Sequence, residues 1–253
     1  MSWQYLFAIA ILLAIWLPWL WRYKIKPHYA KDELISQLKQ RPDWPILQSK
    51  LLFLIELYKG VNARAASRKD RKFLNLHEDA FIYGEIAFLS FFNILNKVNP
   101  QPSDIFYDLG CGSGKALYTA ALYFPLAKVC GIELLPRLDK KAVSRKEKIT
   151  PLLQKESYQK TGITFLTPLS SIHIINDNFL NQDFSDGTII FINATCLSYQ
   201  TWQHLLDKFQ QLKTGTRVIV TSKKIENPQF QLISQTFELM SWGVNSVNIY
   251  RKL

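Results

Sequence analysis

The segment Asp108-Leu-Gly-Cys-Gly-Ser-Gly-Lys115 constrains this 253-residue chain more tightly than any other. It follows a short apolar run, residues 105–109, and precedes an apolar stretch free of glycine and proline, residues 115–123. The reading is strand, glycine turn, helix. Such a turn lets backbone approach a ligand at the carboxyl end of a strand, and the first turn of the helix offers free N–H groups. The spacing selects among ligands. Gly110, Gly112 and Gly114 form Gly-x-Gly-x-Gly directly after an acidic residue, whereas a dinucleotide turn wants Gly-x-Gly-x-x-Gly. A carboxylate at Asp108 would repel a pyrophosphate and attract a cationic group.

The alternation continues downstream. Residues 128–134 read as a strand, 136–159 as a polar, basic helix and 163–179 as one or two strands. Residues 188–194 read as a buried strand, 199–212 as a helix and 217–222 as a strand; 237–242 and 245–251 form a closing hairpin through Gly243. Alternating strands and helices predict an α/β, Rossmann-like fold with a mostly parallel sheet covered by helices on both faces. Upstream, residues 27–45 hold three prolines and predict a short helix between breaks; 46–59 predict a helix stopped at Gly60. Residues 64–72 read as a charged, small-residue connection, and 78–98 as a long helix closed by Pro100 and Pro102.

Composition excludes several classes. With 48% hydrophobic and 20% charged residues the body is globular, not disordered. Cys111, Cys130 and Cys196 make no Cys-x-x-Cys pair, and His28, His77, His173 and His204 are scattered, so neither a metal site nor a disulfide framework is expected. The net charge of +11 is concentrated early: residues 22–73 carry 13 Lys or Arg against 5 Asp or Glu. A basic segment draws nucleic acid, anionic lipid or acidic protein. Its neighbour weights the choice. Residues 3–21 hold no charge and as a helix would reach roughly 28 Å, close to a ~30 Å hydrocarbon core. Trp3 and Tyr5 stand at one end, and Trp16, Trp19, Trp21 and Tyr23 at the other, as an aromatic belt would. A cleaved signal peptide would carry an early positive charge and small residues after the run; this run has neither. The segment therefore reads as a retained transmembrane anchor. Arg22, Lys24 and Lys26 then place the following chain on the cytoplasmic side. The expected division is residues 1–26 as anchor, 27–75 as a basic helical linker and 76–253 as the α/β domain.

Asp108 with its glycines, followed by Glu133 at the end of the next strand, resembles the cofactor motif of class I methyltransferases that use S-adenosylmethionine (SAM). An acidic residue ending the second strand can accept both ribose hydroxyls, while Asp108 would face the cationic amino-acid portion of SAM. Further elements narrow the match: Tyr83-Gly84-Glu85 before the glycine turn, Asn178-Phe179, Phe191-Ile192-Asn193, Ser222-Lys223-Lys224 and Ser241-Trp242. Together they resemble the Disruptor-of-telomeric-silencing family of protein-lysine methyltransferases, which lack a SET domain. The resemblance covers residues 81–253. It implies a seven-stranded sheet ending in an antiparallel pair. It implies that Tyr83, Gly84 and Glu85 close over the methionyl part of SAM, with Gly110, Gly112, Gly114 and Lys115 alongside. Asn178 would meet the adenine amino group and Phe179 stack on its ring, with Asp177 the alternative if the register slips by one. Asn193 would lie beside the transferred methyl, and Trp242 would line the channel for the acceptor lysine. Asn193, Tyr83 and Trp242 are thus the candidate catalytic residues.

One run departs from the family pattern. After the fourth strand the family has two asparagines and then aromatics; here Asn193-Ala194-Thr195-Cys196 stands instead, which puts histone recognition in doubt. The same run lacks the Asn/Asp-Pro-Pro-aromatic element of base amino-methyltransferases. The expectation is a membrane-anchored enzyme that methylates lysine ε-amino groups of a protein. A nucleic-acid or small-molecule methyltransferase and a non-catalytic, membrane-tethered SAM-binding module are the alternatives.

Overall fold

The computed structural model describes residues 26–76 and 83–253. The expected span at residues 3–21 lies outside them; among the described residues no helix is long and apolar enough to cross a membrane. Seven strands form one sheet: β1 (Ile105–Leu109), β2 (Lys128–Glu133), β3 (Ile172–Asn176), β4 (Ile189–Ile192), β5 (Arg217–Thr221), β6 (Phe230–Met240) and β7 (Gly243–Lys252). Their order is β3-β2-β1-β4-β5-β7-β6. The first five run parallel, and β7 is antiparallel to both β5 and β6. This is the mostly parallel seven-stranded sheet with a terminal antiparallel pair. Order reverses between β1 and β4, which places a crevice at the carboxyl ends of β1 and β4.

Alternate side chains of each strand serve different layers, as the pleat dictates. Phe106, Val129, Ile189, Phe191 and Ile219 pack on one face, under α1 (Lys26–Lys39), α2 (Trp44–Leu57), α4 (Phe88–Val98), α5 (Lys115–Tyr123) and α6 (Pro136–Leu153). Tyr107, Ile190, Ile192, Val218 and Val220 pack on the other, against Trp202, Leu205 and Phe209 of α8 (Tyr199–Gln210). α3 (Ala63–Phe73) lies along α6, which is followed by the short α7 (Glu156–Gln159).

Several elements depart from the expected pattern. Residues 64–72 are not a connection but most of α3, started by Asn62, whose side chain accepts from Ala65 N. Its inward face is Ala63, Ala66, Ser67 and Asp70, so it shows no stripe of large apolar residues. Residues 78–98 are not one helix: the helix spans Phe88–Val98, and residues 78–82 lie outside the described ones. Before it, Ile86 bridges Met240 and Ala87 N donates to Leu239 O, so this segment extends along the end of β6. β6 starts seven residues earlier than the expected 237. The single strand within residues 163–179 is Ile172–Asn176.

The helices ahead of the α/β alternation are docked on it. Leu38, Leu47, Phe53, Leu54 and Leu57 belong to the same core as Phe106 and Val129. Lys50 Nζ donates to Leu122 O at 2.8 Å, and Arg145 Nη1 to Leu57 O at 2.9 Å, so α2 is tied to α5 and α6 by buried cations.

Candidate active site

A cleft of about 1190 Å³, open mouth included, lies at the carboxyl ends of β1, β2 and β4. The glycine turn forms its floor. Gly112 has φ 58°, and a Cβ there would stand 2.6 Å from Tyr83 Cε2, so both backbone conformation and the close approach of the tyrosine require glycine. Gly110 joins the wall, while Gly114 lies behind it under Tyr118 and begins α5. Glu133 at the end of β2 is buried, its Oε2 accepting from Gly112 N at 2.6 Å and its Oε1 from Leu135 N at 2.8 Å. Burial pushes its carboxyl up to about 7 against those two stabilising hydrogen bonds. Asp108, also buried and in the wall, is held well above the usual carboxylate range, first by burial and then by the nearby carboxylates of Glu133 and Glu85.

The Tyr83-Gly84-Glu85 loop closes one side, fastened to three elements. Toward the glycine turn, the Tyr83 hydroxyl donates to Glu85 Oε1, Ser113 Oγ donates to the same oxygen at 2.5 Å, and Lys115 Nζ pairs with Glu85 Oε2 at 3.0 Å. Toward the end of β6, Glu85 N donates to Ser241 Oγ at 3.0 Å and Ser241 N donates to Glu85 O at 2.7 Å. Toward β4, Asn193 Nδ2 donates to Gly84 O at 3.1 Å. Lys115 also sits 4.9 Å from the Phe88 ring centroid, so its charge is spent inside the wall.

Farther along, Asn178 and Phe179 both line the cleft. Asp177 turns instead into its own loop, accepting from Asn178 N, Asn181 Nδ2 and Gln182 Nε2 at 2.7, 3.1 and 2.6 Å. The register therefore puts Asn178, not Asp177, on the cavity. Asn178 Oδ1 accepts from Leu180 N at 2.9 Å, which fixes its side chain.

Asn193 lines the cleft at the end of β4 and is held at both ends of its amide. Its Oδ1 accepts from Thr221 Oγ1 at 2.6 Å and Thr195 Oγ1 at 2.8 Å. Thr195 Oγ1 lies 2.8 Å from Ser222 Oγ, which accepts from Asn245 Nδ2 at 2.7 Å. Ser222 sits at φ 65°, an uncommon conformation for a residue with a side chain, and this turns its hydroxyl into the chain. Trp242 is not part of the cleft wall: its ring lies against Gly84, where a Cβ would come within 2.1 Å of Cζ3. Sequence reasoning passed over Ser113, Thr195, Thr221 and Asn245. Small polar residues are common; Ser113 lies within the glycine turn and Thr195 two residues after Asn193, while the sheet register brings Thr221 and Asn245 beside them. It also passed over Tyr58, whose hydroxyl donates to Ser113 O at 2.8 Å from the end of α2.

The wall thus carries three carboxylates, Glu85, Asp108 and Glu133, against one lysine already paired with the first. Such a cleft repels phosphates and favours a cationic ligand with hydroxyl donors. Residues 66–248 match the model of the histone methylation protein DOT1 family. The chain belongs to this family. The DOT1 match spans the glycine turn, both carboxylate-bearing strands and the hairpin that holds Gly84. A histone-lysine N-methyltransferase, H3 lysine-79 specific, of Yarrowia lipolytica is 25% identical over 239 residues, covering 87% of this chain and 45% of that protein. A protein-lysine N-methyltransferase of Saccharolobus islandicus is 28% identical over 154 residues, covering 61% of this chain and 75% of that one. The chain thus spans less than half the length of the Yarrowia relative. Among solved structures, TrmN from Thermus thermophilus superposes with a TM-score of 0.51 at 18% identity, over 73% of this chain and 53% of that one, a likeness of fold alone.

Proposed function

We propose that this DOT1-family chain is a SAM-dependent protein-lysine N-methyltransferase held at a membrane by residues 3–21. One observation carries the activity: three carboxylates, two of them with raised proton affinity, surround a cleft whose single lysine is neutralised. SAM fits this donor set, because its ammonium and sulfonium are cationic and its ribose offers two hydroxyl donors. Glu133, already fixed by two backbone N–H groups, keeps acceptor capacity for the ribose hydroxyls. Asp108 and the Tyr83–Glu85 loop would meet the amino-acid end, and Asn178 and Phe179 the adenine.

When bound, SAM would supply an activated methyl group to an acceptor amine nitrogen approaching in line with the sulfonium and would leave as a neutral thioether. The chain's own task is to orient and to dry the acceptor. Phe191, Ile192, Leu197 and Met240 give the cleft an apolar side next to Asn193. A lysine amine, with a pKa of about 10.4 in water, loses its proton more readily in such surroundings. Asn193, clamped by Thr195 and Thr221 on one side and Gly84 on the other, presents a fixed amide at that wall. The two relatives named for lysine methylation support the choice of acceptor. The tether is supported by the uncharged run and the cations after it.

The test uses full-length chain in membranes, methyl-labelled SAM, and membrane proteins, soluble proteins and histones as acceptors. Acid hydrolysis of the labelled product is expected to give methyl-lysine, and Asp108→Ala and Glu133→Ala to abolish it. Methyl-arginine, labelled lipid or labelled RNA would overturn the reading. Release of the chain by an alkaline carbonate wash would overturn the tether.

A further inference from the structure

Helix α3 has five cations and a single acid, and the acid is turned inward. Asp70 is fully buried, paired with Arg137 at 2.6 Å and accepting from Arg137 N at 2.7 Å. Arg64, Arg68, Lys69 and Lys72 are exposed. At the end of the helix Phe73 is 75% exposed with the Arg137 guanidinium 5.6 Å from its ring, and Leu74 is exposed beside it. Arg137 and Lys140, exposed on the adjoining α6, extend the patch, with the half-buried Asp139 between them. A basic helix with a bare aromatic at its tip fits the boundary between anionic headgroups and acyl chains.

Position supplies a second argument. Arg64 Nη2 donates to Ser241 O at 2.8 Å, and Ser241 holds the Glu85 backbone, so α3 begins at the rim of the cleft. Lys26, the first described residue, places its ammonium 5.7 Å from the ring of Phe237, four positions before Ser241 and about 13 Å away along an extended chain. The described chain therefore begins, at Lys26, on the same side of the domain as the rim from which α3 starts.

We infer that the exposed face of α3 lies on an anionic lipid surface, so that the rim around Tyr83–Glu85 faces the bilayer and the enzyme's acceptors are lysines close to the headgroups. The inference rests on the membrane tether proposed above. Charge alone would also suit nucleic acid; the exposed Phe73–Leu74 pair and the site of chain entry select lipid.

The experiment acylates lysines of the full-length chain reconstituted in vesicles of phosphatidylcholine, with and without phosphatidylserine, and reads each site by mass spectrometry. Lys69 and Lys72 are expected to lose roughly fivefold in reactivity on the phosphatidylserine vesicles and to regain it in high salt, with exposed Lys213 unchanged. An Arg68→Glu/Lys72→Glu variant should leave Lys69 equally reactive on both vesicles while binding SAM as the parent does. Equal labelling of Lys69 and Lys72 on both vesicles overturns the inference, as does protection by added RNA with none on phosphatidylserine. A chain that fails to float with the vesicles refutes the tether itself. A chain that floats but is not protected refutes only the docking of α3.

Discussion

Gly84 shows how little room the site leaves. It does not occupy the left-handed region, so alanine meets no backbone penalty there. The difficulty is steric alone: the added carbon would come within 2.1 and 2.4 Å of Trp242 Cζ3 and Cε3. Either the indole moves or the loop does, and the loop carries Tyr83 and Glu85. Gly84→Ala should lower kcat/KM on the order of a hundredfold, the scale expected when catalytic groups shift by about an ångström. Pairing it with Trp242→Ala removes the obstacle, and the double variant should outperform Gly84→Ala alone in the same methyl-transfer assay. A double variant no better than the single one would show that Trp242 acts on the acceptor and not as the wall behind Gly84.

Among the elements, α2 has the least obvious connection to chemistry and a direct one in space. Tyr58, the residue that caps its C-terminus, donates to the carbonyl of Ser113, whose hydroxyl in turn binds Glu85. Tyr58→Phe keeps the ring against Phe88, 5.4 Å away between centroids, and removes only the hydrogen bond, worth about 1 kcal/mol. Calorimetry should show SAM affinity falling about fivefold with little loss of Tm; unchanged affinity would mean that the turn needs no support from α2. This dependence was illegible in the sequence, as were the elements whose form is set by distant partners. β1 and α5 could be read to the residue, because an apolar run, three glycines and an uninterrupted apolar helix are local signals. α3 could not, because Ala63, Ala66, Ser67 and Asp70 pack inward without a hydrophobic stripe. Tyr83–Ala87 carried a helical pattern yet runs extended, since β6 offers it backbone partners. The site divides likewise. The glycine turn and Glu133 announce themselves by spacing, whereas the relay from Asn245 through Ser222 and Thr195 to Asn193 joins β7 to the turns that follow β5 and β4, which no local pattern connects.

For the molecule as a whole, gathering carboxylates in the cleft costs stability, and pH exposes that cost. The proton affinity of Glu133 rises on folding from its ordinary value near 4.5 to about 7. Between those values the folded chain keeps a proton that the unfolded chain has lost, so stability falls as pH rises through the window, by about 3 kcal/mol from this group. Asp108 and Glu238, also raised by burial, act in the same direction. Asp43, Asp104 and Asp186 act oppositely: their cationic partners hold them below 3.8, so they withdraw stability only in more acidic solution. The ligand-free protein should therefore melt at a higher temperature at about pH 5 than at about pH 8. Glu133→Gln, which keeps an acceptor for one of the two backbone donors, should reduce that difference, leaving the part due to Asp108 and Glu238. A cationic ligand favours the ionised carboxylates, so SAM should raise the Tm more at the higher pH than at the lower. Thermal melts of both proteins across this range, with and without SAM, decide the matter. A wild-type Tm that climbs from pH 5 to pH 8, or a fall in Glu133→Gln as large as that of the wild type, would show that burial does not raise the Glu133 carboxyl.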